Sequence, residues 1–380
     1  MAKRSLPDEP ASGEKKAKAG PLVVTKEERE FLLKHGYLVK LNVVPDEVCE
    51  KAQGEFEAAL RVLDPSFEQG ESGLRRCRTP KHTHGIQEMP KLAHLPCVKD
   101  VRLHPNVVEL WRSLLQEQDI SSSWDRVGYI PSYTSDSRSK PWHHTDVSPG
   151  FHAESYVPIQ SYVQVSEIAP ASIVNTKQQP TGNEGDCDGA PCIVLWEHSH
   201  LAHAAYFEQR GLAKLARDNW HIYDRETIAE WEEDGRGYIS EGNLSRFFRD
   251  QAKVPMRRLE IRVPRGGMVF WYSASAHMNT SGKHVTNGCV FDGSAYARFV
   301  VYTCFVPRRL VTKKDAEKIR KALKEQRCTS HWPGCDNVSL FAKTPHLYSK
   351  EAVAAYKELE AKLDVPPLAF DARERQLLPL

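Results

Sequence analysis

Two side chains able to bind a metal ion stand two residues apart in Lys140-Pro-Trp142-His143-His144-Thr145-Asp146-Val-Ser-Pro149. A neutral imidazole and a carboxylate at i and i+2 of an extended segment point to the same side of the strand. His144 and Asp146 therefore offer two members of a facial 2-His-1-carboxylate set. The spacing alone is weak, because a chain of 380 residues with 16 histidines should contain about one His-x-Asp by chance. It is the only His-x-Asp in the chain, and it competes with one His-x-Glu (His152, Glu154) and two His-x-His pairs, His82/His84 and His198/His200. The third ligand has to come from a distant segment.

Gly266-Gly-Met-Val-Phe-Trp271-Tyr272 reads as a turn followed by an apolar strand that delivers His277 just past its end. Facing the His144/Asp146 segment, His277 would close the triad and leave open positions on a ferrous ion for a chelating cosubstrate and dioxygen. A hydrogen-bonded loop histidine is the plain alternative. Arg298 opens the strand Ala297 to Val306, where alternation groups Arg298, Val300, Tyr302 and Cys304 on one face. A guanidinium there is costly unless an anion meets it; a dicarboxylate cosubstrate would do so through a bidentate pair, and an internal salt bridge would do so as well. Trp142, Trp271 and Tyr272 flank the ligands and are candidates for a substrate pocket or for ordinary core.

The elements that must position these groups follow from periodicity. Thr25 to Gly36 reads as a capped helix, Tyr37 to Val44 as a strand, and Pro45 to Leu63 as a helix with Val48, Ala52, Phe56, Ala59 and Leu60 on one face. A third helix runs near Val107 to Gln116. Strands are expected at Arg126–Ile130, Tyr156–Val165, Cys192–Trp196, Leu259–Val263, Gly267–Tyr272 and Ala297–Val306. Short strands with long connections and no alternating helices imply an antiparallel sandwich or barrel, mainly β with flanking helices. A helical insert occupies about 204–254. Its Glu232–Ser240 stretch resembles a calcium loop, but Arg236 takes a ligand position and Asn243 replaces the closing Glu, so no calcium is expected. Residues 23–311 are assigned to this β domain and 312–380 to a helical extension packed on it.

Composition narrows the class. An apolar content of 40% supports a sizeable core, and no run of about 18 apolar residues exists, so no membrane span is expected. A net charge of +2 argues against a surface built to grip phosphate backbones, although a local nucleic-acid patch stays open. Nine scattered cysteines, with Cys187 and Cys192 the closest pair, point to reduced thiols and an intracellular compartment. Residues 1–22 lack large apolar side chains and read as a disordered tail. Within it Lys3-Arg4 and Lys15-Lys16-Ala17-Lys18 have the spacing of a bipartite nuclear import signal bound by a carrier. The alternatives are a merely solubilising tail and a cytoplasmic location.

The order of these parts resembles the phytanoyl-CoA dioxygenase-like branch of the Fe(II)- and 2-oxoglutarate-dependent oxygenases. Phe31 to Val44 is similar to the family's helix-then-Gly-Tyr entry, Trp142 to Asp146 to its Trp-His-x-Asp segment, and Asp188 to His200 to its Asn-Gly-x-Leu-x-x-x-Pro-Gly-Ser-His strand and turn. Gly266 to His277 matches the strand leading to the distal histidine. The resemblance implies a double-stranded β-helix, a jelly-roll barrel, with His144, Asp146 and His277 on Fe(II) and Arg298 on 2-oxoglutarate. It departs from the family in three places: Arg298 follows His277 by 21 residues, about twice the usual spacing; Trp196-Glu197 replaces Pro-Gly; and the insert after His203 is long.

The implied activity is hydroxylation or oxidative demethylation of a substrate, with O2 consumed and 2-oxoglutarate decarboxylated to succinate. The presence of Asp146 argues against halogenation, in which related enzymes lack that carboxylate. Substrates acting in the nucleus, nucleic acid or chromatin protein, form one alternative. A non-catalytic, cupin-like barrel binding metal through His198/His200 forms another.

Overall fold

The computed structural model describes residues 22–64, 82–83, 85–130, 134–135, 142–147, 158–167, 172–175, 191–212, 220–224, 226–228, 231, 256–280, 283–286, 289–293, 297–332, 338–343 and 350–379. The basic clusters Lys3/Arg4 and Lys15/Lys16/Lys18, the calcium-like stretch 232–240, Cys187, and His84, His152 and Glu154 lie outside them.

The helices are α1 (Lys26–His35), α2 (Asp46–Leu63), α3 (Pro96–Arg102), α4 (Pro105–Leu115), α5 (Ser199–Gln209), α6 (Lys313–Glu325), α7 (Lys350–Lys362) and α8 (Ala372–Gln376). The first strands are β1 (Tyr37–Lys40), β2 (His82–Thr83), β3 (Ile86–Gln87), β4 (Ile120–Ser122), β5 (Val127–Ile130), β6 (Thr134–Ser135), β7 (His144–Thr145), β8 (Ile159–Gln164) and β9 (Ser172–Asn175). The remainder are β10 (Cys192–Glu197), β11 (His221–Ile222), β12 (Arg257–Arg262), β13 (Met268–Tyr272), β14 (His277–Thr280), β15 (Lys283–Thr286), β16 (Cys289–Gly293), β17 (Arg298–Thr303) and β18 (Phe305–Pro307).

Two antiparallel sheets carry the fold. One has the order β1-β13-β8-β17-β5-β3-β2 and the other β11-β7-β14-β10-β12-β9. Along the chain the strands cross between them: β5 lies in the first, β7 in the second, β8 in the first, β9, β10 and β12 in the second, β13 in the first, β14 in the second and β17 in the first. Among the described residues no strand pair joins the two sheets, so they form a sandwich and not a hydrogen-bonded closed barrel.

Strand alternation sorts the side chains. Tyr162, Val269, Trp271 and Val300 of the first sheet meet Ile193, Leu195, Leu259 and Ile261 of the second in the space between them. The other face of the first sheet, with Phe270, Phe299 and Val301, packs on Phe56 of α2, Val101 of α3 and Trp111 of α4. Phe56 stacks on Phe299 with ring centroids 4.2 Å apart, and Trp111 meets Phe270 edge-on at 5.4 Å. Ile319, Trp332, Tyr356, Leu377 and Leu378 of the C-terminal part belong to that same apolar layer.

Local signals account for the helix ends. Thr25 and Glu28 form a reciprocal capping box at the start of α1, and Gly36 ends it in the left-handed region. Periodicity misses α3, which is only two turns long and opens on a proline, and the sequence reading extended β1 by four residues. It also misses the hairpin β15/β16, which pairs with β6 in a separate three-stranded sheet and lies between His277 and Arg298. That hairpin is the physical reason for the wide spacing between these residues. No helix among the described residues is long and apolar enough to cross a membrane. Cys49, Cys97, Cys192, Cys304 and Cys328 are unpaired and buried, and burial pushes the Cys192 thiol up to about 12.

Gly266 turns the chain into β13 with φ +74°, and its carbonyl accepts from Val43 and Val44 N–H at 2.9 and 3.0 Å. A Cβ there would run into the Val44 carbonyl oxygen. Gly266→Ala should therefore destabilise the chain by about 1–3 kcal/mol, read as a lower urea midpoint.

Acid should act through buried histidines. His94 donates from Nε2 to the Arg327 carbonyl at 2.7 Å, and burial pushes its pKa down to about 4; burial pushes His200 down to about 3. Unfolded histidine protonates near 6.5, so below that pH the unfolded chain binds more protons than the folded one, and stability falls as pH falls. The urea midpoint should decline progressively from about pH 6.5 toward 4, less steeply in His94→Gln.

Candidate metal centre

His144 and His277 stand directly opposite each other on β7 and β14, which gives both imidazoles to the inner side of the second sheet. Their rings are 4.3 Å apart, centroid to centroid. Each ring is oriented by its own chain: Nδ1 of His144 lies 3.2 Å from the Trp142 carbonyl, and Nδ1 of His277 lies 2.8 Å from the Ser275 carbonyl. A carbonyl can only accept, so both Nδ1 atoms carry a proton and each ring turns its Nε2 toward the site. Those two Nε2 atoms converge on Oδ2 of Asp146, at 3.7 Å from His144 and 3.2 Å from His277. Two imidazole nitrogens and a carboxylate oxygen within one small volume are a group that could hold a metal ion.

The backbone fixes the carboxylate. Asp146 N–H donates to the Ser273 carbonyl at 3.0 Å, and Thr145 Oγ1 donates to the same oxygen at 3.0 Å. Gln160 of β8 reaches across the sandwich and donates from Nε2 to Asp146 Oδ2 at 3.1 Å. Burial would raise the Asp146 pKa, but the neighbouring His144, then His331 and His277, outweigh it and hold the carboxyl well below its usual range. Burial, followed by the neighbouring His277, lowers His144. The carboxylate is thus ionised and His144 neutral at neutral pH, as metal binding requires.

Arg298 begins β17 on the inner face of the first sheet and is 1% exposed. Its Nη1 donates to Oδ1 of Asn279 at 3.1 Å, and its guanidinium sits 4.8 Å above the Tyr162 ring. Nε and Nη2 are buried without a hydrogen-bond partner, and the groups that act on the Arg298 charge are Tyr162, Tyr302 and Cys192, none of them a carboxylate. Asn279 follows His277 by two residues on the same face of β14, and it also donates to the Tyr302 hydroxyl at 3.0 Å. Asn279 therefore ties the metal-ligand strand to the buried cation.

Trp142 stacks on His144 at 4.3 Å with an interplanar angle of 12° and donates from Nε1 to the Asn279 carbonyl. Trp271 lies 5.4 Å from His277, inside the sandwich. Tyr272 alternates to the other side of β13 and stacks on His200 at 5.2 Å, so it does not line this space. Gln160, Asn279 and Tyr162 touch the candidate groups and carry no mark in the sequence reading. Alternation alone could have flagged Asn279, two residues beyond His277.

His198 and His200 do not converge. His200 bonds the Leu33 carbonyl from Nε2, while His198 Nε2 approaches His35 Nδ1 at 3.2 Å, and His35 Nδ1 is 2.8 Å from Oε1 of Glu197. His35, Glu197 and His198 could also surround a metal, but Arg257 already forms an ion pair with the other oxygen of the buried Glu197. Burial opposes ionisation of Glu197; His35, His198 and Arg257 together overcome it and lower its pKa. The cluster is charge-balanced as a clamp between α1 and β10. Trp196, which stands where the family pattern has proline, is covered by Trp231 of the insert at 5.3 Å.

No protein-family model and no curated protein matches this chain. Among solved structures it is similar to HygX from Streptomyces hygroscopicus with nickel and 2-oxoglutarate bound, at 14% identity over 75% of this chain and 88% of the other, with a TM-score of 0.36. It is also similar to EctD from S. alaskensis with bound Fe, at 12% identity over 77% and 79% and a TM-score of 0.38. A third is the non-heme alpha ketoglutarate dependent epimerase SnoN from nogalamycin biosynthesis, at 11% identity over 74% and 82% and a TM-score of 0.36. At these values the likenesses decide neither fold nor chemistry, and the geometry of the triad and of Arg298 stands by itself.

His277→Ala should weaken Co(II) or Mn(II) binding by more than about 100-fold, and Gln160→Ala by about tenfold through loss of carboxylate orientation, as measured by metal titration with circular dichroism unchanged.

Proposed function

We propose that this chain is an Fe(II)- and 2-oxoglutarate-dependent oxygenase of the phytanoyl-CoA dioxygenase-like kind, built on a double-stranded β-helix. The observation that carries the reading is the pairing of two buried, incomplete groups in one interior: a His144–Asp146–His277 ligand set, and an Arg298 with two unpartnered nitrogens. They are linked through Asn279, and two residues along an antiparallel strand span about 7 Å, comparable to the reach of a five-carbon dicarboxylate. The strand orders β13-β8-β17-β5 and β7-β14-β10-β12, with the chain crossing between sheets, suit the β-helix assignment.

In this reading His144, Asp146 and His277 hold the ferrous ion, and Arg298, fixed by Asn279 and Tyr162, takes the far carboxylate of 2-oxoglutarate through its free Nε and Nη2. Together with O2 the bound pair supplies the oxidising power to hydroxylate or demethylate a substrate, releasing succinate and carbon dioxide. Gln160 holds the Asp146 carboxylate at a fixed angle, and Trp142 and Trp271 keep the ligand rings against apolar neighbours and out of bulk water.

Adding 2-oxoglutarate to the ferrous protein without oxygen should produce a visible absorption band, and admitting air should yield succinate. His277→Ala should lose iron. Arg298→Gln should keep iron and require at least about tenfold more 2-oxoglutarate for the same band. Iron binding with no effect of 2-oxoglutarate in the wild-type chain would defeat the proposal.

A further inference from the structure

The segment after α5 interrupts the sandwich and returns to it as β11, the edge strand of the second sheet beside β7. Its packing is asymmetric. His221 meets the Tyr206 hydroxyl at 3.1 Å and the Phe207 ring at 4.9 Å, and Tyr223 N–H donates to the His143 carbonyl at 2.9 Å. Tyr206, Phe207, Tyr223, Ile228 and Trp231 form an apolar cluster against Trp196. The insert is thus anchored through one side of β11.

The other side of β11 faces the metal ligands. Ile222 pairs with His144 and His221 with Thr145, so continuing the antiparallel register by one residue puts Trp220 opposite Asp146. The Trp220 ring lies 6.0 Å from His144, tilted by 50°; it stands off from the imidazole that Trp142 stacks upon at 4.3 Å. Trp220 is 50% exposed and Ile222 43% exposed. Only two other large hydrophobics are exposed among the described residues, Val23 and Val62, and neither is near the centre. An indole and a branched aliphatic side chain left open to water beside three converging ligands form a surface that a ligand would cover. Among the described residues of the insert, Arg210 and Asp224 lie 3.6 Å apart and neutralise each other, so that pair leaves no net charge just beyond Ile222 and an uncharged group suits it.

We propose that β11 is the substrate-recognition lip of the metal centre, and that Trp220 and Ile222 receive a neutral, planar ring of a small-molecule substrate. This rests on the oxygenase reading for the identity of the metal centre. The indole face takes a flat ring better than a puckered one because offset stacking needs a planar partner, and Ile222 packs against the ring edge. The long insert acquires a role: it is the arm that carries this lip, held on the outside by Trp231 and Tyr223 and presenting Trp220 on the inside.

The test uses the full-length chain with Mn(II) and 2-oxoglutarate, and two probes of similar size, benzyl alcohol and cyclohexylmethanol. Free Mn(II), read by electron paramagnetic resonance, reports whether the centre binds metal. Saturation transfer from protein to probe reports ring binding without reference to the metal, and Mn(II)-induced broadening of probe protons reports nearness to the centre. Benzyl alcohol should bind and broaden, cyclohexylmethanol less so. Trp220→Ala should weaken benzyl alcohol binding by about fivefold or more, with Trp220→Phe retaining most of it. Equal benzyl alcohol binding by wild type and Trp220→Ala, equal binding of the two probes, or transfer without broadening on a Mn(II)-loaded protein overturns the lip. Mn(II) left free by the wild-type chain overturns the metal reading instead, and saturation transfer then still decides whether Trp220 binds a planar ring.

Discussion

The interior of this protein depends on a single cross-strand pair, His144 opposite His277. Side chains alternate along a strand, so a slip of one residue would turn His144 outward to where His143 now lies under the insert, and turn Asp146 away with it. β7 is only two residues long and could not hold that register through its own ladder. The Ser273 carbonyl does so, taking bonds from both Asp146 N–H and Thr145 Oγ1, while Ser273 N–H is held by Pro158. The segment between β13 and β14 is therefore what aligns one metal-ligand strand with the other.

Around that pair the sandwich buries charge in a way a purely structural core would avoid. Asp146 is surrounded by imidazoles and an amide donor, and Arg298 by an aromatic face and one amide oxygen. Native interiors leave few buried polar atoms unpaired, and those left unpaired mark places where another group belongs. The unpartnered Nε and Nη2 of Arg298 sit on the same interior as the ligand set, across Asn279. One side of the space suits a cation and the other an anion, which is the polarity a metal chelated by a dicarboxylate would impose.

Much of this was legible in the sequence. The i, i+2 rule placed His144 and Asp146 together, the strand through Trp271 delivered His277, and alternation on β17 turned Arg298 inward. The residues that complete the site were harder to see. Gln160 and Asn279 are polar residues within strands, and nothing local distinguishes an amide that faces a carboxylate from one that faces solvent. Proximity to Trp271 suggests Tyr272 for the pocket, although period-two alternation sends it to His200. The spacing between His277 and Arg298 looks too long only while the hairpin β15/β16 is overlooked; Asn287-Gly288, a strong two-residue hairpin signal, stands in the sequence between its two strands. Trp196-Glu197 looked like a departure from a pattern; it is where the sheet meets the insert through Trp231 and the helix α1 through His35.

Gly36 has a consequence for the order in which the molecule can be made. Its carbonyl accepts from Tyr272 N–H and from Ser275 Oγ, and a Cβ at this position would crowd His200 and Ser275. The end of α1 is thus a wall of the turn that sets His277, across a sequence separation of 239 residues. β1 likewise adds to the sheet only through β13. Contacts of that range close late, because the loop entropy must be overcome before they contribute. During synthesis the N-terminal helix and strand must wait, with apolar faces open, until the chain has been extended past β13. The His144–Asp146–His277 cluster is then among the last parts of the fold to form.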